Sequence, residues 1–105
     1  MTNDIAAMVA LSDTTRRAIF ELVVARPRSV AEITRCLPVT QSAVSQHLKV
    51  LRDARLVTSE PNGTRNIYHL DPHGLGQMRA WLDRMWDTAL NNFKMAVDGN
   101  TEEKP

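Results

Sequence analysis

Residues 40–56, TQSAVSQHLKVLRDARL, carry short hydrogen-bonding side chains at helical spacing. Val44, Leu48 and Leu51 recur at i, i+4 and i+7, which predicts one buried stripe of a helix. The other faces carry amides and hydroxyls where a solvated helix usually carries Glu and Lys. In the major groove of DNA, Gln reads adenine through two hydrogen bonds, and Ser or Thr contacts either kind of base. The segment therefore predicts a helix that reads DNA, unless its Ser and Gln are merely neutral surface residues.

The candidate DNA contacts lie on this helix and just beyond it. Thr40, at the helix start, would place backbone N–H groups near a phosphate. His47 and Lys49 could reach bases or phosphates. Arg65 could enter a minor groove, whose negative potential attracts arginine, or remain a solvated loop residue. The predicted DNA-binding set is Thr40, Gln41, Ser42, Ser45, Gln46, His47, Lys49 and Arg65.

The charge of the chain is uneven. Residues 12–70 carry nine Lys and Arg against five Asp and Glu, an excess of +4, whereas residues 1–11 carry −1 and residues 71–105 carry −2. A basic middle suits a polyanion partner, although so small an excess is also compatible with an ordinary solvated surface. Arg16 and Arg17 lie in this basic part and are either further phosphate contacts or solvated helix residues.

Three shorter helices are expected to position the DNA-reading helix. Residues 4–11 form a short amphipathic helix, and a second helix begins at a cap on Ser12 or Asp13 and ends before Pro27. Ser29 and Glu32 have the spacing of a capping box, which begins a third helix that Pro38 stops. The inner face of this third helix is predicted to be Ile33, Cys36 and Leu37. Thr40 is the next N-cap candidate, so the third and fourth helices meet at a tight turn.

The chain after Leu56 changes from helical to strand character. The stretch LVTSEPNGTRNIYHL is β-branched and aromatic around PNG, which predicts a hairpin with strands at 57–60 and 65–70 and a turn at 61–64. Asp71 and Pro72 are a good helix start. An apolar pattern with steps of three and four then predicts a long helix over residues 72–97. The predicted fold class is mainly α with a small β-hairpin, a winged helix-turn-helix.

Composition places the chain in a broad class. Its 105 residues predict one domain over residues 1–97, followed by a polar, disordered tail over residues 98–105. No apolar run approaches the roughly 20 residues of a membrane span, no signal peptide is visible, and the single cysteine cannot form an intrachain disulfide. We therefore expect a cytoplasmic protein with no membrane partner. No phosphate loop, zinc signature or convincing nucleophile–base set suggests an enzyme.

Several stretches together resemble the ArsR-type family of bacterial repressors. SDTTRRAIFELV, SVAEITRCL, TQSAVSQHLKVLRDARLV and NGTRNIYHLDPHGL follow the order and spacing of that family over about residues 5–97, and QSAVSQHLKVLRDA is the most specific part. The resemblance implies a homodimeric transcriptional regulator that reads double-stranded DNA with the helix from Thr40. It also implies DNA contacts at Gln41, Ser42, Ser45, Gln46 and His47. Pro38 and Arg55 stand where the family often has glycine.

The same resemblance raises the question of a metal effector. Ser29 and Ala31 occupy the positions of a cysteine pair that some members use for metals. Another site type uses Asp-x-His with His and Glu; Asp71 and His73 match its first half, but the second half falls at Arg84 and Asp87. We therefore expect no metal site and no cofactor, with metal or redox control as the alternative within the family. Cys36 is expected to be a small buried hydrophobe rather than a redox switch.

The terminal helix is expected to dimerise, because its apolar stripe is too wide for one small domain to cover. Trp81 and Trp86 lie five residues apart, so one should pack against the core and the other against a partner. The alternative is that both belong to the core of a monomer. The predicted dimerisation residues are Ile5, Met8, Val9, Leu82, Met85, Trp86, Ala89 and Phe93. A different class of function, a winged helix used for protein–protein contact, also remains open.

Overall fold

The computed structural model describes residues 3–103 and arranges them as helices around a small antiparallel sheet. The order of elements is α1 (Asn3–Ser12), α2 (Thr14–Ala25), β1 (Arg28–Ser29), α3 (Val30–Cys36), α4 (Gln41–Asp53), β2 (Val57–Asn62), β3 (Arg65–Leu70) and α5 (Pro72–Glu103). Within these residues, no helix combines the length and apolar composition that a membrane span requires. The predicted mainly helical winged fold is confirmed.

Side-chain caps explain where the first helices begin. Asp13 caps α2 by accepting a hydrogen bond from the backbone N–H of Arg16 at 2.9 Å. Ser29 and Glu32 form the predicted capping box of α3, in which each side chain accepts from the other residue's backbone N–H. Thr40 caps α4 by accepting from the N–H of Ala43 at 3.1 Å. The cap on Thr40 ends the short turn between α3 and α4.

The core lies beneath α4. Val44, Leu48 and Leu51 are fully buried, as the seven-residue spacing predicted. They pack with apolar residues from α1, α2, α3, β2 and the segment between α4 and β2, which are Ala7, Ala10, Ile19, Phe20, Val23, Ile33, Ala54, Leu56 and Val57. Since α4 packs against both α2 and α3, its opposite face remains turned toward solvent.

The sheet has three strands in the order β1-β3-β2 rather than the two predicted. The added strand, β1, pairs Arg28 with Tyr68 and Ser29 with Ile67. The hairpin is also longer than predicted, because β2 continues through Pro61 to Asn62. Proline is tolerated there because β2 is an edge strand and needs no N–H donor on its open side. Gly63, with φ of +65°, and Thr64 form the two-residue turn.

Arg55 ends α4 in the left-handed conformation, with φ of 60°. The N–H of Leu56 donates to the carbonyl of Leu51 at 2.9 Å, and the N–H of Arg55 donates to that of Arg52 at 3.0 Å, which is a Schellman motif. Glycine usually occupies this position, since the conformation costs other residues roughly 1–2 kcal/mol. The buried contact between Leu51 and Leu56 accompanies the motif and offsets that cost.

Helix α5 begins against the end of α4 and extends well beyond it. The side chain of Asp71 accepts from the N–H of His73 at 3.0 Å and caps α5 as predicted. The helix continues to Glu103, past the predicted end near Val97 and into the segment for which we expected disorder. Each residue added to a helix forms one more backbone hydrogen bond, so the polar last turns of α5 can continue the helix without an apolar face. Residues 104 and 105 lie outside the described residues.

Candidate nucleic-acid interface

The outward face of α4 is a polar surface of short side chains. Thr40 and Gln41 are exposed at its beginning, and Ser42, Ser45, Gln46 and Lys49 are exposed along it. The buried stripe on the opposite side holds the helix in place, so these side chains are presented from a rigid support. The surface can donate and accept hydrogen bonds at several points along one helix, as reading base edges in a major groove requires.

Arg65 lies beside the beginning of α4. It lines a cleft of about 260 Å³ together with Gln41 and residues of the strand β1, the helix α3, the hairpin turn and the strand β3, namely Ser29, Val30, Ala31, Thr64 and Asn66. We call β2, β3 and their turn the wing. The cleft brings the wing arginine and the first amide of α4 to the same surface, although they are far apart in the chain. Sequence reasoning proposed both residues but could not place them side by side.

His47 differs from the other proposed contacts because it is partly buried. Its Nδ1 lies 3.5 Å from Nη1 of Arg16, a residue of α2. The helical spacing explains the burial, since His47 borders the buried stripe of Leu48 and Leu51. Arg16 is also partly buried, and its Nε donates to the carbonyl of Ala10 in α1 at 2.6 Å. Sequence reasoning missed this link because residues 31 positions apart carry no periodic signal.

Two capping carboxylates near this surface are held in their charged form. The hydrogen bond from the backbone N–H of Arg16 lowers the pKa of Asp13, with further help from the charge of the Arg16 guanidinium. The hydrogen bond from the backbone N–H of Ser29 lowers the pKa of Glu32, assisted by Arg26, whose Nη1 lies 3.3 Å from Glu32 Oε2. Both carboxylates therefore act as charged caps at neutral pH.

The residues considered for a metal site have structural roles in this fold. Asp71 caps α5, and its other oxygen lies 3.8 Å from Nε of Arg55. Ser29 is buried in the capping box of α3. Among the residues that the structure describes, no three His, Cys, Asp or Glu side chains lie together as a metal ion would need. Metal-independent DNA binding remains a prediction.

The prediction that Cys36 is buried is wrong. Cys36 is exposed at the last residue of α3, and its Sγ lies 3.7 Å from Nη1 of Arg28. Leu37 and Ile33 are turned toward the core instead. Helix α3 has only seven residues, so few of its side chains can reach the core. Leu37 packs against the core at its end, and the neighbouring Cys36 faces solvent.

The proposed dimerisation residues are largely uncovered in the single chain. Trp86 and Phe93 are 62% and 70% exposed. Ile5, Val9, Leu82, Met85 and Ala89 are also exposed, whereas Met8 is partly buried. Trp81 is partly buried, on the other side of α5 from Trp86. Helix α1 packs against α5, so the exposed apolar residues of the two helices belong to neighbouring surfaces.

Helices α3 and α4 form a helix-turn-helix, and the wing follows it directly. This order of elements is that of the winged helix-turn-helix proteins. A family model described as a helix-turn-helix domain matches residues 11–60. The HTH-type transcriptional regulator Rv2034 of Mycobacterium tuberculosis is 50% identical to this chain over 97 residues, which cover 92% of this chain and 91% of that protein. The chain therefore belongs to the helix-turn-helix transcriptional regulators.

Two further comparisons agree with this assignment. The arsenical resistance operon repressor of Bacillus subtilis is 43% identical over 63 residues, which are 59% of this chain and 60% of that protein. The solved structure of an ArsR-like transcriptional regulator from Rhodococcus sp. RHA1 matches with a TM-score of 0.76 and 28% identity, covering 90% of this chain and 92% of that one. With these relatives, the chain belongs to the ArsR-type family of winged helix-turn-helix transcriptional regulators, which confirms the family that the sequence predicted.

Proposed function

We propose that this protein is a homodimeric repressor that binds an imperfect palindrome in a promoter, including its own. The observation that carries the proposal is the polar outward face of α4, which lies next to Arg65 across one cleft. Amides and hydroxyls on this face would read base edges in the major groove. Arg65 would hold the wing on the DNA backbone or in the adjacent minor groove.

The exposed apolar stripe on α5 supports the proposed dimer. Leu82, Trp86, Leu90, Phe93 and Val97 recur at steps of three and four and are all exposed. So many large apolar side chains on one helix face are typical of an interface between subunits. A second copy would cover the stripe with its own equivalent, since a two-fold axis brings identical surfaces together. We propose that residues 1–97 form this DNA-binding and dimerisation unit and that it acts in the cytoplasm.

The competing function is a winged helix that binds another protein. The amide and hydroxyl face favours DNA, because the core of a protein interface is usually enriched in Tyr, Trp, Phe, Met and Arg instead. Lys49 and Arg65 supply positive charge at opposite ends of this surface, as contact with phosphates requires.

The test is a binding experiment with DNA that the protein itself selects. The wild-type protein is used to enrich duplexes from a random-sequence pool, and its affinity for an enriched duplex is compared with that for a scrambled one at several salt concentrations. We expect preference of at least about 10³-fold and a logarithm of affinity that falls linearly with the logarithm of salt concentration. A folded protein that enriches no sequence and shows no salt-dependent binding would instead be a protein-binding module.

A further inference from the structure

We propose that Arg16 is a positioning residue for DNA recognition, which holds His47 so that its Nε2–H donates to a phosphate oxygen of the DNA. The inference rests on the proposed function and adds two roles to it. Arg16 acts from inside the protein rather than as a phosphate contact, and His47 contacts the DNA backbone rather than a base.

The guanidinium of Arg16 is fixed before any DNA binds. Its Nε donates to the carbonyl of Ala10, and the side chain of Arg16 is partly buried between α1, α2 and α4. The backbone N–H of Arg16 donates to the side chain of Asp13. Because the guanidinium is planar, a hydrogen bond at Nε restricts the directions in which its other N–H groups can donate. One of these directions leads from Nη1 to Nδ1 of His47.

This contact selects one tautomer of the imidazole. Every nitrogen of arginine is a donor, so the nearest ring nitrogen of His47 must serve as the acceptor. At 3.5 Å the contact is long for a hydrogen bond. If Nδ1 carried the proton, however, its N–H would point at the positively charged guanidinium of Arg16, which is unfavourable. The ring of neutral His47 therefore carries its proton on Nε2, and that atom becomes its donor.

The position of His47 on α4 indicates what this donor meets. Ser42, Gln46 and Lys49 lie on the side of α4 that faces away from Val44 and Leu48, whereas His47 borders the buried stripe. A donor at the border of a recognition helix lies toward the wall of the groove, where the acceptors are phosphate oxygens. Loss of His47 should therefore weaken binding to all sequences by the same factor.

A double-mutant cycle measures the link. Arg16→Ala, His47→Ala and the double variant are compared on the enriched duplex and on the scrambled one, at protein concentrations where sedimentation shows dimers. We expect each single change to weaken binding about three- to tenfold, the size of one hydrogen bond, and the double change to weaken it hardly more. Both duplexes should lose affinity equally.

Arg17→Ala is the matched control, because it removes the same charge one residue away. Arg17 is exposed and its Nη1 reaches only the carbonyl of Leu11, at 3.4 Å, among the contacts described for it. Its effect should add to that of His47→Ala, whereas the effect of Arg16→Ala should not. If Arg16 and His47 also give additive losses, or if His47→Ala changes the base preference, the proposal is overturned.

The tautomer can be read without DNA from long-range ¹H–¹⁵N spectra of the imidazole rings. In spectra recorded at a pH of about 8.5, the neutral ring of His47 should show the Nε2–H form, and Arg16→Ala should mix the two neutral tautomers, whereas Arg17→Ala should not. If Arg16→Ala does not fold, Arg16→Lys retains the charge but cannot reach both Ala10 and His47. An Nδ1–H form in the wild-type protein overturns the inference. Failure to enrich any duplex contradicts the proposed function and leaves this measurement unaffected.

Discussion

Single side chains on α4 are expected to determine which bases are read. We predict that Gln41→Ala or Ser45→Ala weakens binding to the enriched duplex by about 1–3 kcal/mol and relaxes base preference at one position of each half-site. Arg65→Ala, in contrast, should weaken binding to all DNA sequences by a similar factor and reduce the salt dependence of binding. Fluorescence anisotropy on enriched, singly mutated and scrambled duplexes measures both effects. Unchanged affinity in the Gln41 and Ser45 variants would show that another surface reads the DNA.

The cap on α2 should make stability depend on pH. The pKa of Asp13 is lower in the folded chain than its ordinary value, so its charged form stabilises the fold. That contribution is fully present above the unfolded pKa of about 3.9 and is lost as the pH falls through the lower folded value. Asp13→Asn keeps a good cap that does not titrate. Urea unfolding at constant protein concentration should therefore show a smaller loss of stability between about pH 5 and pH 3 in the variant than in the wild type. Equal losses would contradict this assignment.

Residue-level properties were predictable where they follow helical periodicity. The buried stripe of α4 and the exposed Ser42, Ser45 and Gln46 follow directly from spacing. Cys36 and His47 both lie at the border of a buried stripe, where a shift of one residue changes exposure. The contact between His47 and Arg16 depends on how α2 crosses α4, and local sequence does not encode that angle.

At the scale of elements, the junction between α4 and α5 tests the packing. A Cβ on Gly74 would lie 2.5 Å from the carbonyl oxygen of Ala54 and 2.8 Å from that of Arg55, whereas a Cβ on Gly76 would meet nothing within 4 Å. We predict that Gly74→Ala destabilises the protein by roughly 1–3 kcal/mol, because backbone atoms must move. Gly76→Ala should stabilise it by about 1 kcal/mol through helix propensity.

Chemical denaturation of the two alanine variants at one protein concentration measures this difference. The two changes add the same methyl group to the same helix, so propensity alone would stabilise both. Similar shifts in the two variants would mean that α5 does not approach α4 as closely as the structure shows. The N–H of Gly74 also donates to the carbonyl of Arg55 at 2.8 Å, which ties the same two helices together.

The helices were more predictable from sequence than the sheet. Caps at Asp13, Ser29, Thr40 and Asp71 give local signals that tertiary structure did not override. Strand β1 has only two residues and exists because β3 pairs with it, so no local pattern marks it. Likewise, Pro61 indicated a turn but joins β2, since an edge strand leaves its open side unpaired.

At the scale of the molecule, the second half of α5 exposes an apolar stripe that we propose a second copy covers. Phe93 lies near the centre of the exposed stripe, and Asn91 lies on the opposite side of the helix. We predict that Phe93→Asp converts the dimer to monomer and abolishes DNA binding, because it places charges in an apolar interface. Asn91→Asp introduces the same side chain outside the interface and should change neither property. Sedimentation equilibrium at micromolar concentration and binding to the enriched duplex distinguish the two variants. A wild-type protein that is folded but monomeric would contradict the proposed dimer.

We propose that two copies of α4, related by a two-fold axis, read two half-sites of one DNA molecule. Hydroxyl-radical footprinting of the wild-type protein on the enriched duplex tests it most directly. We expect two protected blocks on each strand, related by the symmetry of an inverted repeat, with half-site centres about 34 Å, or one helical turn, apart. A single protected block on an asymmetric site would contradict it.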